Sequence, residues 1–367
     1  MLRIALINDQ HLFSGTSSHI YKLYKNFKDH NMDTEFYQFL ISNNEPEVPI
    51  TFTKYGLLHG FNDKFKFIYN SKLALNFITG ANWKSFRNVN SDITILSGPS
   101  LLPLVKYNNR TIVIGHDLYF MDHNKKTFFL TLYMNRMYRL FKEASYVVVD
   151  SNFTKMEFVS KLNFTKEKIN VVYPSIDAEV FHPGSSNLRK MLQLSDGDVL
   201  LLSIGGDNPN KNIETILRLM TLLPRNFKLI RVGRNYNILP MIVKMNLSER
   251  IISLGNVDQE FLAGLYRGAD IFLFPSLHEG FGVPLIEAMA SGIPFITSNR
   301  ASLPEVAGNS GIICDPFDIE YMANSILQIM QDEKLKREIV MKGLKRAKDF
   351  SAEKQFESIR RVINLFE

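Results

Sequence analysis

Residues Asp270–Pro316 read DIFLFPSLHEGFGVPLIEAMASGIPFITSNRASLPEVAGNSGIICDP, and this stretch decides the fold. An apolar run closes at Pro275 and is followed by Glu279, a glycine-broken loop and a second carboxylate, Glu287. A short apolar run bounded by breakers predicts a buried strand, and the pattern after Pro284 predicts a helix. Pro284 suits a first helical turn, whose amides have no intrahelical acceptor. Gly280 and Gly282 permit close backbone approaches that a side chain forbids. A helix start carries unpaired N–H groups and a positive dipole end, a seat for phosphate. Glu279 leaves the strand and Glu287 lies about one turn into the helix, so two carboxylates suited to sugar and ribose hydroxyls flank that seat. The ligand these residues point to is a nucleotide sugar.

Glu279 and Glu287 stand in the setting HEGFGVPLIEAMASGIPFITS, with the small-residue run Ala288–Gly292 and the sequence SLPEVAG downstream. In these features the chain resembles the retaining glycosyltransferases of family four, which have the GT-B fold. The likeness runs from about Asp198 to Pro316 and more thinly over the N-terminal half. It implies an α/β protein of two doubly wound Rossmann-like domains facing a central cleft. The C-terminal domain would bind the nucleotide sugar, and the N-terminal one would lie on the acceptor side.

A chain of 367 residues exceeds the usual size of a single core, so two domains are expected. A hydrophobic share of 45% and an aromatic share of 12% suffice for well-buried sheets and exclude global disorder. One cysteine, Cys314, excludes an internal disulfide and offers no metal-ligand spacing. A small buried hydrophobe in a strand is its expected role. The formal charge of +6 favours anionic partners. Zinc-finger spacing, RNA-binding aromatic signatures and helix-turn-helix patterns are missing, so nucleic acid is not an expected partner. MLRIALIND reads directly as a strand without the features of a signal peptide, and no run is long enough to span a bilayer. These features predict a cytoplasmic protein.

Apolar β-rich runs alternate with amphipathic helical stretches in both halves, the pattern of parallel sheets covered by helices. Six strands are expected in each half, the first starting near Leu2, Thr34, Ile93, Thr111, Tyr146 and Ile169, the second near Val199, Phe227, Ile251, Ile271, Pro294 and Gly311. The expected domains are 1–176 and 177–351, the boundary falling in the proline- and turn-rich stretch Pro174–Ser186. Ser302, with Glu305 three residues on, has the shape of a capping box. Phe356, Ile359, Val362, Ile363 and Phe366 recur at helical spacing. This last helix, 352–367, either packs on its own domain or, as the resemblance implies, crosses back onto the N-terminal one.

The loop SIGGDNPNKN, Ser203–Asn212, leaves a strand and enters a helix, with Lys211 just before it. An ammonium and helix amides can share a pyrophosphate there. The resemblance assigns Lys211 to the donor diphosphate and the leaving group. Many family members carry an arginine five residues earlier, where this chain has Gly206. His116, in GHDLYF after a strand, is implied beside the donor sugar, and Asp117 either orients the acceptor hydroxyl or caps a turn. The first loop, 9–18, matches a family glycine pair, of which Ser14-Gly15 keeps only the second member. The implied catalytic residues are therefore His116, Lys211 and Glu279. Donor binding is implied at Gly15, Gly206, Arg234, Val257, Phe281, Gly282, Val283 and Glu287. Arg234 and Val257 would line the nucleobase pocket without deciding between uracil and guanine.

Residues 51–90 hold six Lys or Arg against one acid, with nine aromatics interleaved. They suit either an anionic membrane surface and a lipid-linked acceptor, or a set of core-facing aromatics with solvated lysines. The first alternative would make the protein peripheral at the inner face of the membrane. The one Asp-x-Asp triplet, Asp196–Asp198, reads as a turn entering a strand, the wrong end of the sheet for a catalytic metal. No metal or other cofactor is expected. The activity implied is metal-independent, retaining transfer of a hexose, mannose or glucose favoured, from a nucleotide sugar to a glycan, lipid-linked or small-molecule acceptor. The rival reading is a catalytically silent nucleotide-sugar-binding or scaffold protein on the same fold. A glycosidase with paired carboxylates explains neither Lys211 nor the two-domain strand pattern.

Overall fold

The computed structural model describes residues 2–8, 15–38, 91–97, 105, 109–119, 135–136, 139–195, 197–234 and 238–367. Among them the chain forms two compact units, Met1–Ser175 with Ala352–Glu367, and Ile176–Ser351. The basic aromatic segment 51–90 and the loop residues 9–14 lie outside the described residues.

The first unit is built on a parallel sheet of β1 (Ile4–Asn8), β2 (Thr34–Gln38), β3 (Ile93–Ser97), β4 (Thr111–Gly115), β5 (Tyr146–Val149) and β6 (Ile169–Val171). Its strand order is β2-β1-β3-β4-β5-β6. Its helices include α1 (Gly15–Asp29) and α2 (Asn152–Leu162). β3 and β4 are buried along their whole length, as apolar strands covered on both faces must be.

The second unit carries β7 (Val199–Ile204), β8 (Phe227–Val232), β9 (Ile251–Ser253), β10 (Ile271–Phe274), β11 (Phe295–Ser298) and β12 (Ile312–Cys314). The order β12-β11-β10-β7-β8-β9 is doubly wound, and its direction reverses between β7 and β10. Its helices are α3 (Leu188–Met191), α4 (Ile213–Leu222), α5 (Leu239–Lys244), α6 (Gln259–Gly268), α7 (Val283–Ser291), α8 (Leu303–Ala307), α9 (Ile319–Gln331) and α10 (Glu333–Ala347). Cys314 is buried in β12 within an aliphatic core that includes Leu201, Leu273 and Ile296.

The last helix, α11 (Ala352–Ile363), belongs to the first unit. Phe356, Ile359, Val362 and Ile363 join Ile4, Leu6, Ile20 and Phe27 in one core. The His30 ring stacks on Phe356 at 3.7 Å, and Asn26 donates to the side chain of Gln355 and the carbonyl of Ala352. The spacing of the apolar residues was equally compatible with either domain, and these contacts decide between them.

The capping-box expectation is overturned. Ser302 precedes α8 but makes no side-chain cap. Its single hydroxyl proton is shared between the carbonyls of Glu279 and Phe281, both at 2.8 Å. A loop whose carbonyls need donors outbids the local amide.

Candidate nucleotide-sugar site

In an open α/β sheet, ligands bind beyond the carboxyl ends of the strands where the strand order reverses. In the second unit that point lies between β7 and β10, and the loops leaving these two strands carry Lys211 and Glu279. They meet there: Lys211 Nζ lies 2.6 Å from Glu279 Oε1, with both side chains largely buried. The ammonium also sits 5.6 Å from the centre of the Phe274 ring at the end of β10.

The two loops are sewn together by asparagines. Leu277 N donates to Asn210 O, Asn210 Nδ2 to His278 O, and Asn212 Nδ2 to the carbonyls of Pro275 and Pro316. Asn212 adopts a left-handed conformation, φ 53°, between the turn Pro209–Lys211 and α4. Asn tolerates that region better than most side-chain-bearing residues. The stem of Lys211 lies against Gly205, where an added Cβ would come within 3.2 Å of Lys211 Cδ.

Beyond Glu279 the chain turns into α7 through Gly282, φ 106°, where a Cβ would stand 2.8 Å from Leu303 Cδ2. The left-handed φ is what favours glycine there, and the Leu303 methyl would have to give way to any Cβ. Val283 opens the helix, and the Phe281 ring is buried edge-on against Phe350. Phe281 and Val283 therefore contribute backbone to this loop, and the Phe281 ring is core. Glu287 is buried one turn in, its Oε2 accepting a 3.0 Å bond from Tyr266 Oη, which also contacts the Pro284 carbonyl. Burial and the adjacent carboxylate push the Tyr266 phenol well above its ordinary range, so it stays a donor.

The remaining expected donor residues of this unit share the same sheet edge. Gly206 is partly buried beside Gly205. Arg234 is exposed after β8, and Val257 is partly buried after β9. Their loops are joined by the bond from Gly233 N to Gly255 O. Asp198 lies at the opposite end of β7, where its carboxylate accepts from Ser195 N and pairs with Lys228 at 3.6 Å. Both partners hold it below the ordinary carboxylate range. Among the described residues, no group of His, Cys, Asp or Glu is arranged to hold a metal ion.

In the first unit, His116 follows β4 and its Nδ1 lies 2.7 Å from Asp150 Oδ2, at the end of β5. Asp117 is exposed, and its Oδ1 accepts from Tyr119 N at 3.0 Å, which is the turn-capping alternative. Gly15 is the first residue of α1, inside the stretch 9–18 expected to be a loop. Asp150 and Tyr266 escaped the sequence reading, since neither lies in a motif and each acts on a partner at least twenty positions away.

Residues 185–346 match the family model described as glycosyl transferases group 1. The second unit belongs to that family. The group 1 domain contains Lys211, Glu279, Tyr266 and Glu287. Relatives include O-antigen chain mannosyltransferase B of Escherichia coli, 33% identical over 220 residues, 57% of this chain and 58% of that protein. O-antigen chain mannosyltransferase RfbU of Salmonella typhimurium is 29% identical over 238 residues, 63% of each chain. The chain thus spans less than two thirds of the length of these relatives.

Over its whole length the chain superposes on sucrose-phosphate synthase of Thermosynechococcus elongatus, with TM-score 0.82 and 19% identity, covering 100% and 99% of the two chains. Anabaena HepE in complex with UDP-glucose matches with TM-score 0.77 and 16% identity, covering 99% and 100%. The fold is GT-B, with two Rossmann-like α/β domains.

Proposed function

We propose that this protein is a retaining hexosyltransferase that moves mannose or glucose from a nucleotide-diphosphate sugar to a glycan or lipid-linked acceptor. The observation that carries the reading is the Lys211–Glu279 pair at the reversal point of the second sheet, beside the helix that presents Glu287. Lys211 and the amides opening α7 would bind the diphosphate and take up its charge as it leaves. Glu287 would hold the ribose hydroxyls, with Tyr266 fixing its carboxylate. Glu279 would bind the sugar and orient Lys211. His116 is proposed as a further sugar ligand whose ring Asp150 holds in place.

In the proposed reaction the bond between the anomeric carbon and the diphosphate oxygen breaks, its electron pair leaving with the phosphate. The acceptor oxygen attaches on the same face, and its proton passes to the departing phosphate oxygen. A lysine and helix amides supply the charge that a metal ion supplies elsewhere, so activity should persist in excess EDTA. Loss restored by one divalent ion alone would contradict this part. The mannosyltransferase names of the O-antigen relatives support mannose, and UDP-glucose in HepE supports a nucleotide-sugar ligand.

The test is incubation with GDP-mannose, UDP-glucose, UDP-galactose and UDP-N-acetylglucosamine, with and without acceptor glycans, and NMR of the product anomer. Transfer or slow hydrolysis of one donor with retained configuration is expected. Tight donor binding without any turnover would favour the silent binding protein instead. Among the described residues no helix is long and apolar enough to cross a membrane.

A further inference from the structure

Arg231 is fully buried near the end of β8, in a strand otherwise filled by apolar residues and Lys228. A parallel strand covered on both faces is most cheaply filled with Val, Ile or Leu, and a buried guanidinium must find acceptors to persist. Arg231 Nη2 donates to the carbonyls of Gly205 and Gly206, at 2.7 and 3.0 Å. Its Nη1 reaches the carbonyl of Val232 at 3.5 Å, and its buried Nε has no hydrogen-bond partner among the described residues. Burial draws the guanidinium down to about 10, with Asp207 opposing the shift, so it is a cation at neutral pH.

The turn it grips is the one that carries Lys211. Gly205 has φ 136°, and its Cα side is covered by the Lys211 stem. From the other direction Gly233 presses on the turn so closely that a Cβ there would run into the Gly205 carbonyl. Arg231, the glycine turn and Lys211 are thus three successive layers.

We propose that Arg231 is a positioning residue of the donor site, a buried cation that fixes the Gly205–Gly206 turn and adds positive charge beneath the diphosphate. This rests on the nucleotide-sugar reading above. It makes Arg231 specific for ligands with a diphosphate, since a nucleoside monophosphate would engage the base and ribose contacts with little need of this turn.

Two substitutions and a rescue test it, with GDP, UDP, GMP and UMP titrated calorimetrically into the full chain. Arg231→Met should weaken binding of the preferred diphosphate by about tenfold or more, while the matching monophosphate changes by less than about threefold. Gly206 has ordinary φ and room for a side chain, a Cβ meeting only Asn208 Nδ2 at 3.8 Å. Adding Gly206→Arg to Arg231→Met should therefore restore most of the lost diphosphate affinity. Arg231→Lys, which keeps the charge on a side chain one bond shorter than the Nη2 that meets both carbonyls, should show an intermediate, diphosphate-selective loss, and serves if the methionine variant does not fold. Unchanged diphosphate affinity in a folded variant would overturn the proposal. Equal losses for mono- and diphosphate without rescue would make Arg231 a merely structural residue and also overturn it. Wild type binding neither GDP nor UDP would instead refute the nucleotide-sugar reading, and the proposal with it.

Discussion

Lys211 Nζ donates to Glu279 Oε1 at 2.6 Å across the reversal point of the second sheet, joining residues 68 positions apart. The pair places a carboxylate beside the cation assigned to the diphosphate, so the two residues' contributions to anion binding oppose each other. Lys211→Ala should cost about 2–4 kcal/mol of transition-state stabilisation, measured as kcat/KM, and should also lower Tm, since it leaves the largely buried Glu279 carboxylate without its cation. Glu279→Gln should tighten the free nucleoside diphosphate while reducing turnover. In the double variant the effects on diphosphate binding should be non-additive, because removing either partner changes the field felt by the other. Additive effects would mean that the pair is not coupled in the ligand-binding form.

Tyr266→Phe tests the support behind Glu287. The phenol is fully buried, and its single O–H lies within 3.0 Å of both Glu287 Oε2 and Pro284 O, the carboxylate being the stronger acceptor. Losing it leaves a buried carboxylate oxygen short of a donor, at a cost of about 1–3 kcal/mol in denaturant unfolding. Nucleoside diphosphate affinity should fall as well, since the carboxylate is then free to change rotamer. A fall in stability with no change in affinity would confine Tyr266 to a packing role.

Ile359→Ala tests the place of α11. Ile359 is wholly buried in the core of the first unit, and large-to-small substitutions in such sites cost about 2–5 kcal/mol. Amide exchange in this variant should rise first in β1, β3 and α1. Selective loosening of the second unit would contradict the assignment.

Cys314 should be inert in the folded protein. Burial, with Asp318 and Asp315 nearby, pushes its thiol up to about 12. At about pH 8 the thiolate is then on the order of one part in ten thousand. An aromatic disulfide reagent should label it only after unfolding. Rapid labelling of native protein would show that β12 opens readily.

Much of this architecture was legible in the residues because parallel strands are written as unbroken apolar runs. Val199–Ile204, Phe227–Val232 and Ile271–Phe274 are observed with the bounds their runs suggest. The glycine turn into α7 was legible for the same reason, since Gly282 and Pro284 punctuate the backbone locally. What escaped acts at long range. Nothing local to KLIRVG says that Arg231 is buried, nor that Ser302 would serve the loop at Glu279 rather than its own helix. The partnership of His116 with Asp150 spans 34 positions and needs the order of β4 and β5 to be known.

The most direct test of the account is calorimetric titration of GDP and UDP into wild type, Lys211→Ala and Glu287→Ala. The account predicts one site per chain for one of the two nucleotides, weakened by about tenfold or more in each variant, with folding intact. Equal affinity in all three proteins, or no binding of either nucleotide to wild type, would contradict it.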